Sequence, residues 1–183
     1  RVVHIVATNL ADEPTVAGCV LNIRDITDRK RLEDQLTRLA FHDPLTLLAN
    51  RALFRDRVEH AIAGARRRGN QVAAIFVDLD NFKKINDSLG HGEGDRVLRA
   101  TAQRLSKCTR ASDTVARLGG DEFAVLIEDA PSNEAVVETA SRIVEALKEP
   151  FAFSGSSLRV AASVGVAFAA QEDGVEELLR NAD

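Results

Sequence analysis

The 183-residue chain has no methionine, only two cysteines and no excess of positive charge. Without methionine it carries no start residue, and Arg1 to Val6 reads as the middle of a strand, so it is expected to be a piece of a longer protein. It also lacks the roughly 20 consecutive apolar residues that a bilayer span needs. Arg1 to Val6 lacks the charged, apolar and small-residue order of a secretion signal. Cys19 and Cys108 show no metal-ligand spacing and are too few for a disulfide framework, which points to a reducing cytoplasm. Twenty-four basic against 28 acidic residues leave a net charge of −4, the wrong sign for binding nucleic acid by counterion release. The Arg66, Arg67, Arg68 run ends a helix before Gly69, where cations suit the helix dipole. What remains, 45% hydrophobic and 28% charged, is a soluble globular composition sufficient for one full core plus an appendage.

Arg1 to Asn9 and Thr15 to Ile26 have β-type patterns joined by the turn-like Ala11, Asp12, Glu13, Pro14. Two strands alone make no stable domain. From Thr27 the character changes to charged residues with Leu32, Leu36 and Leu39 at helical spacing, capped by Thr27 or Asp28. So narrow a leucine stripe among charges predicts a helix that packs on a twin. After Pro44 the spacing predicts a helix over Arg51 to Arg68, a strand over Val72 to Asp78, a helix-rich stretch to Lys107, and a helix over Asn133 to Lys148. A β-rich stretch, Phe151 to Ala169, is broken by Ser154, Gly155, Ser156, and a last helix begins near Val175. Strands alternating with amphipathic helices indicate a layered α/β domain.

The densest signal is Gly119, Gly120, Asp121, Glu122, Phe123. It lies between the strand-like Asp113 to Leu118 and the apolar Phe123 to Ile127, a hairpin pattern. Adjacent glycines permit a tight turn and leave the backbone open to a ligand, while two acids stand at the tip. Taken alone, the acids could equally be a solvated loop. A second acidic site follows the strand Ala73 to Val77, where Asp78, Leu79, Asp80, Asn81, Phe82 and Lys83 lead into a helix. The end of an apolar strand turning into a helix is a usual ligand position in α/β proteins, and the new helix offers amides to phosphate beside Lys83. Asp80 has the simpler reading of a helix cap. Asp78, at the end of a buried strand, calls for a partner cation. Gly90, His91, Gly92, Glu93, Gly94, Asp95 read as a glycine-rich loop before a helix over Arg96 to Lys107, with Asp95 as its cap. The glycine spacing matches neither a Walker loop nor a dinucleotide fingerprint.

In combination these segments resemble the GGDEF domains, the diguanylate cyclases of bacteria. The resemblance rests on Asp43, Pro44, Leu45, Thr46, Asn50 and Arg51, the Asp78 strand, Phe82, Lys83, Ile85, Asn86 and Asp87, then Gly90, His91, Gly94 and Asp95, and Arg117 to Phe123. It covers nearly everything after Phe41. It implies a polymerase-palm, nucleotidyl-cyclase-like fold, a mostly antiparallel central sheet of βαββαβ type flanked by helices. It implies that two GTP molecules are joined into cyclic di-GMP with release of pyrophosphate, by two domains facing each other as a homodimer of half-sites. Asp78, Asp121 and the Leu79 carbonyl would hold Mg²⁺ or Mn²⁺, hard cations that prefer oxygen. Asp121 or Glu122 would take the proton from the attacking 3′-hydroxyl, and either remains open. Lys83 and the amides of Asn81 and Phe82 would neutralise phosphate charge. Asn86 and Asp95 would read the guanine edge, with His91 close by, and Gly119 and Gly120 would leave room for the nucleotide. Arg110 and Asp113 form an RxxD pair at the family's spacing for an inhibitory product site. An isolated pair of this kind is more often a surface ion pair.

Residues 1–26, ending Asn22, Ile23, Arg24, Asp25, Ile26, are similar to the last strands of a PAS sensor domain. Residues 27–42 then form a helical linker and 43–183 the cyclase domain, cut within a final helix whose later Lys and Arg would bind phosphate. Leu47 and Ala49 depart from the family, which usually has Gly and Pro there. The rival class is a non-catalytic module that senses GTP or cyclic di-GMP, and a third reading, a relative using another nucleotide, is disfavoured by Asn86 and Asp95.

Overall fold

The computed structural model describes residues 1–10, 18–68, 70–153, 156–169 and 178. It divides into two compact units, Arg1–Ala40 and Phe41–Asp183. The expected turn at Ala11 to Pro14 and the last helix from Val175 lie outside the described residues, apart from Leu178, which is helical and buried.

In the first unit β1 (Val3–Leu10) and β2 (Gly18–Asp25) form an antiparallel hairpin running from Val3 opposite Asp25 to Leu10 opposite Gly18. Side-chain alternation puts Val3, Ile5, Leu21 and Ile23 on one face, and all four are exposed. Helix α1 (Thr27–Phe41) follows directly. Its cap differs from the expected Thr27 or Asp28: the Thr27 amide donates to the Asp25 carboxylate at 2.9 Å, while the Thr27 hydroxyl is engaged with the backbone of Val2. Leu32, Leu36 and Leu39 form the expected stripe and stand exposed. Arg29 and Lys30 pair with Glu33 along the helix surface.

The second unit is built on a four-stranded antiparallel sheet in the order β4-β5-β3-β8. Its strands are β3 (Gln71–Leu79), β4 (Thr114–Gly119), β5 (Glu122–Ala130) and, nearest the end of the chain, β8 (Ala162–Phe168). Between them lie α2 (Arg51–Arg68), α3 (Phe82–Leu89), α4 (His91–Cys108), α5 (Asn133–Lys148) and a small hairpin of β6 (Phe151–Phe153) and β7 (Ser156–Leu158). The predicted mostly antiparallel sheet flanked by helices is the architecture found.

β3 is apolar along both faces because both are covered. Ala73, Ile75, Val77 and Leu79, with Phe123, Val125 and Ile127 of β5, pack against α4 and α5 through Val97, Leu105, Val136 and Ile143. Val72 and Ala74, with Ala124 and Leu126, face α2 through Phe54 and Val58. Phe54 also meets Phe76 edge to face, with ring centroids 6.3 Å apart. Asp78 and Glu122 share the α2-side alternation, so both project from that face where the sheet ends.

The segment before α2 lies along β4. The Ala49 amide donates to the Val115 carbonyl at 3.2 Å, and the Arg117 amide donates to the Ala49 carbonyl at 2.9 Å. A proline at 49 could not make the first bond. Leu47, where the family usually has glycine, takes φ 62 and is exposed. The strip Ala49 to Arg51 is thereby fixed beside the β4 end of the sheet.

Candidate functional site

The turn between β4 and β5 is tight because Gly119 pairs with Glu122, leaving Gly120 and Asp121 as a two-residue loop. Gly120 takes φ 50, a conformation that favours glycine, and a Cβ on either glycine would meet nothing within 4 Å. The expected open surface at the turn is present. On the other side of β5, Asp78 stands directly opposite Glu122, the last pair of the β3–β5 ladder. Directly opposed residues in antiparallel strands have Cβ atoms about 5 Å apart. The fold therefore brings Asp78, Glu122 and the turn acid Asp121 to one end of the sheet, with the Leu79 carbonyl next in line.

Like charges so placed disfavour ionisation. Partial desolvation, then the carboxylates of Asp121, Glu122 and Asp80, hold the Asp78 carboxyl above the usual aspartate range. Asp78 itself is exposed near the end of the buried strand; its need for a cation comes from desolvation and from crowding by its acidic neighbours. Asp80 does not cap α3. Its carboxylate accepts from the Ser163 hydroxyl at 2.8 Å, and the residue at the cap position is Asn81, in a left-handed conformation with φ 57.

Two arginines hold the turn from behind, a feature the sequence did not indicate beyond their matching the family. Arg117 donates through Nε and Nη2 to the Gly120 carbonyl at 3.0 and 2.7 Å. Its Nη1 reaches both carboxylate oxygens of Asp43 at 3.2 and 3.1 Å, and the pair is largely buried, with side chains 13% and 16% exposed. Burial opposes ionisation of Asp43, but the Thr46 hydroxyl and amide together with Arg117 hold its carboxyl below the usual range. Arg51, the first residue of α2, donates to the Leu118 carbonyl and to Glu122 Oε2, both at 3.2 Å. Glu122 thus has a cation partner, whereas Asp121 has none among the described residues.

No side chain caps α3, so its first amides, those of Phe82 and Lys83, are left open beside the exposed Lys83 side chain. The Phe82 ring is packed in the core, and only its backbone can face a ligand. Correcting the expected loop at Gly90 to Asp95, α4 begins at His91, and Gly90, with φ 84, is its cap residue. Asp95 consequently sits in the second turn and caps nothing. The two glycines inside the helix are explained by packing at one of them. Gly94 is buried, and a Cβ there would lie 1.9 Å from Asn86 Oδ1 and 3.2 Å from Phe82 Cζ. The bare backbone of α4 is what lets Asn86 of α3 lie against it, next to Asp95. His91 is exposed at the helix start. Glu93 bonds Arg96 through Oε1, and its Oε2 is buried without a partner.

Arg110 and Asp113 lie apart from these groups, in a cleft that contains none of the other predicted site residues. They are not an ion pair: the Asp113 carboxylate accepts from the Arg110 amide at 2.8 Å.

Among the described residues, no three His, Cys, Asp or Glu side chains converge as a ready metal cage. The proposed donors are two carboxylates and a carbonyl, all oxygen, and the Asp78 carboxyl is raised by desolvation and then by its acidic neighbours. That donor set suits Mg²⁺ or Mn²⁺. Among the described residues no helix is long and apolar enough to cross a membrane.

Residues 40–183 match the family model described as the diguanylate cyclase GGDEF domain. The bifunctional diguanylate cyclase/cyclic di-GMP phosphodiesterase MucR of Pseudomonas aeruginosa is 42% identical over 158 residues, which is 86% of this chain and 23% of that protein. Diguanylate cyclase TpbB of the same species is 41% identical, over 84% of this chain and 36% of its own length. A solved structure of a delta-N mutant of TpbB from Pseudomonas aeruginosa, comprising only the GGDEF domain, superposes with a TM-score of 0.74 at 41% identity, covering 77% of this chain and 83% of that one. The coiled coil and GGDEF domain of DgcB from Caulobacter crescentus, solved with cyclic di-GMP, gives 0.79 at 26% identity, covering 86% and 84%. The chain spans well under half the length of the curated relatives.

Proposed function

Since the chain belongs to the GGDEF family of diguanylate cyclase domains, we propose that it condenses two molecules of GTP into cyclic di-GMP and pyrophosphate. The observation that carries this reading is the sheet end: Asp78 opposite Glu122, with Asp121 on the open turn beside them. Asp78, the Leu79 carbonyl and Asp121 would hold the Mg²⁺ or Mn²⁺ that the family generally uses, with Glu122 a further oxygen across the last pair. When bound, the ion offsets triphosphate charge and lowers the pKa of the attacking hydroxyl.

The chain's own groups bind and orient the nucleotide. The uncapped start of α3 and Lys83 face the phosphates, where charge develops as pyrophosphate leaves. Asn86 and Asp95, on facing helices, recognise the guanine edge, with His91 nearby. The 3′-oxygen of one GTP attacks the α-phosphorus of the other as its proton passes to a carboxylate. Asp121 is favoured as acceptor because Glu122 is engaged by Arg51. Each domain holds one GTP, so reaction needs two domains face to face. The exposed leucine stripe of α1 is the proposed dimerising element, residues 1–26 the terminal hairpin of a PAS-type sensor feeding it, and Arg110 with Asp113 the site of product inhibition.

The test is to incubate the full protein with Mg²⁺ and GTP and measure cyclic di-GMP. Product whose formation is lost in Asp78→Ala supports the cyclase. Tight cyclic di-GMP binding with no product would make the module a sensor.

A further inference from the structure

The cleft beside Arg110 and Asp113 has a volume of about 540 Å³, within the ~300–1,000 Å³ range of small-molecule sites. Its walls come from separate parts of the second unit: the segment before α2, α2 itself, the end of α4 and the start of β4. Leu47, Leu53 and Val115 give it an apolar lining, and Arg57, four residues beyond Leu53 on α2, brings a second guanidinium.

Neither arginine side chain is spent on the fold. Asp113 is occupied by the Arg110 amide, and among the described residues no hydrogen bond or ion pair engages the guanidinium of Arg110 or Arg57. Two guanidinium groups thus line one cleft beside a single carboxylate, Asp113, which is bonded to a backbone amide rather than to either of them. Guanidinium groups match phosphate oxygens in geometry and charge, and the apolar residues of the same lining suit a flat base. A ligand with two separated phosphates and two bases uses all of these features, whereas a mononucleotide leaves one arginine idle.

We propose that Arg57 is the second phosphate-binding residue of this cleft, so that Arg110 and Arg57 each take one phosphodiester of a single cyclic dinucleotide. The proposal rests on the reading of Arg110 and Asp113 as the product site and adds a residue that no family spacing indicated.

Isothermal titration calorimetry of the full protein with cyclic di-GMP, and with GMP as a one-phosphate control, tests it in wild type, Arg57→Ala and Arg110→Ala. Arg57→Ala is expected to weaken cyclic di-GMP about tenfold or more, the loss typical of one charge-assisted contact, and GMP less than about twofold. Wild-type cyclic di-GMP affinity in Arg57→Ala, with weakened binding in Arg110→Ala, would overturn the role of Arg57 alone. Equal weakening of GMP and cyclic di-GMP by Arg57→Ala would also overturn it, since a diffuse charge effect ignores the second phosphate. Wild-type affinity in Arg110→Ala would overturn the product-site reading itself.

Discussion

A single missing methyl group at Gly94 decides where Asn86 can lie. A Cβ there would fall 1.9 Å from Asn86 Oδ1, and the amide end of Asn86 is the part free to move away. Replacing a helical glycine by alanine otherwise favours the helix by about 0.5–1 kcal/mol. Against that gain, the core-packed Phe82 ring 3.2 Å from the new Cβ must also give, so Gly94→Ala is expected to lower the melting temperature modestly while weakening GTP binding about tenfold, the loss typical of one hydrogen bond, and ATP binding little. Nucleotide titration alongside a thermal melt separates the two effects. Asp78 presents the opposite case, a residue kept against stability. Its carboxyl is raised by desolvation and by its acidic neighbours, so the folded state binds that proton more tightly than the unfolded chain does. Stability is then lost as pH rises from the ordinary aspartate value of about 3.9 through the higher folded one. Asp78→Asn should raise the melting temperature at pH 7 without divalent cation, with the gain shrinking toward pH 4, and should abolish cyclic di-GMP synthesis.

Elements, rather than residues, place the turn acids. The β4–β5 hairpin is gripped at Gly120 by Arg117, whose partner Asp43 is 74 residues away in sequence, and at Leu118 and Glu122 by Arg51. Breaking a largely buried pair costs about 3 kcal/mol, so Arg117→Ala should lower the urea midpoint and reduce synthesis together. Asp43 has a lowered folded pKa; its contribution is present above about pH 4 and lost as pH falls through that lower value. The difference in urea midpoint between wild type and Arg117→Ala should accordingly hold steady from about pH 5 to 8 and shrink below about pH 4, leaving the part due to the Gly120 hydrogen bonds. The hairpin itself was legible because adjacent glycines between apolar runs leave few alternatives, and Asp78 because an apolar strand ended on it. The clamps were not, since nothing local links Arg51 to Glu122 or Asp43 to Arg117. Gly90 to Asp95 misled in the other direction: glycine density reads as a loop, and only the packing of α3 on α4 explains Gly94 within a helix.

On the scale of the whole molecule, α2 and α5 followed from periodicity and the antiparallel sheet flanked by helices from the family resemblance, whereas the strand order β4-β5-β3-β8 and the partner of α1 are not written in local sequence. Leu32, Leu36 and Leu39 are 60%, 66% and 68% exposed, an arrangement a second copy would bury. Leu36→Glu is expected to lower turnover per domain at low protein concentration and to recover as concentration rises, with sedimentation showing the shift to monomer. If deletion of residues 1–40 left low-concentration turnover unchanged, the stripe would have no part in pairing the half-sites. The Asp78 to Glu122 pair has one more consequence. It is the last rung between β3 and β5, although β3 stays paired to β8 there through Asp78 opposite Ser163 and Leu79 opposite Ala162, and it joins two acids whose charges push apart. If a cation is held there as proposed, neutralising the acids would tighten that rung, and slower backbone amide exchange at Asp78 and Glu122 on adding Mg²⁺ and GTP is the expected readout, with no chemistry taking place.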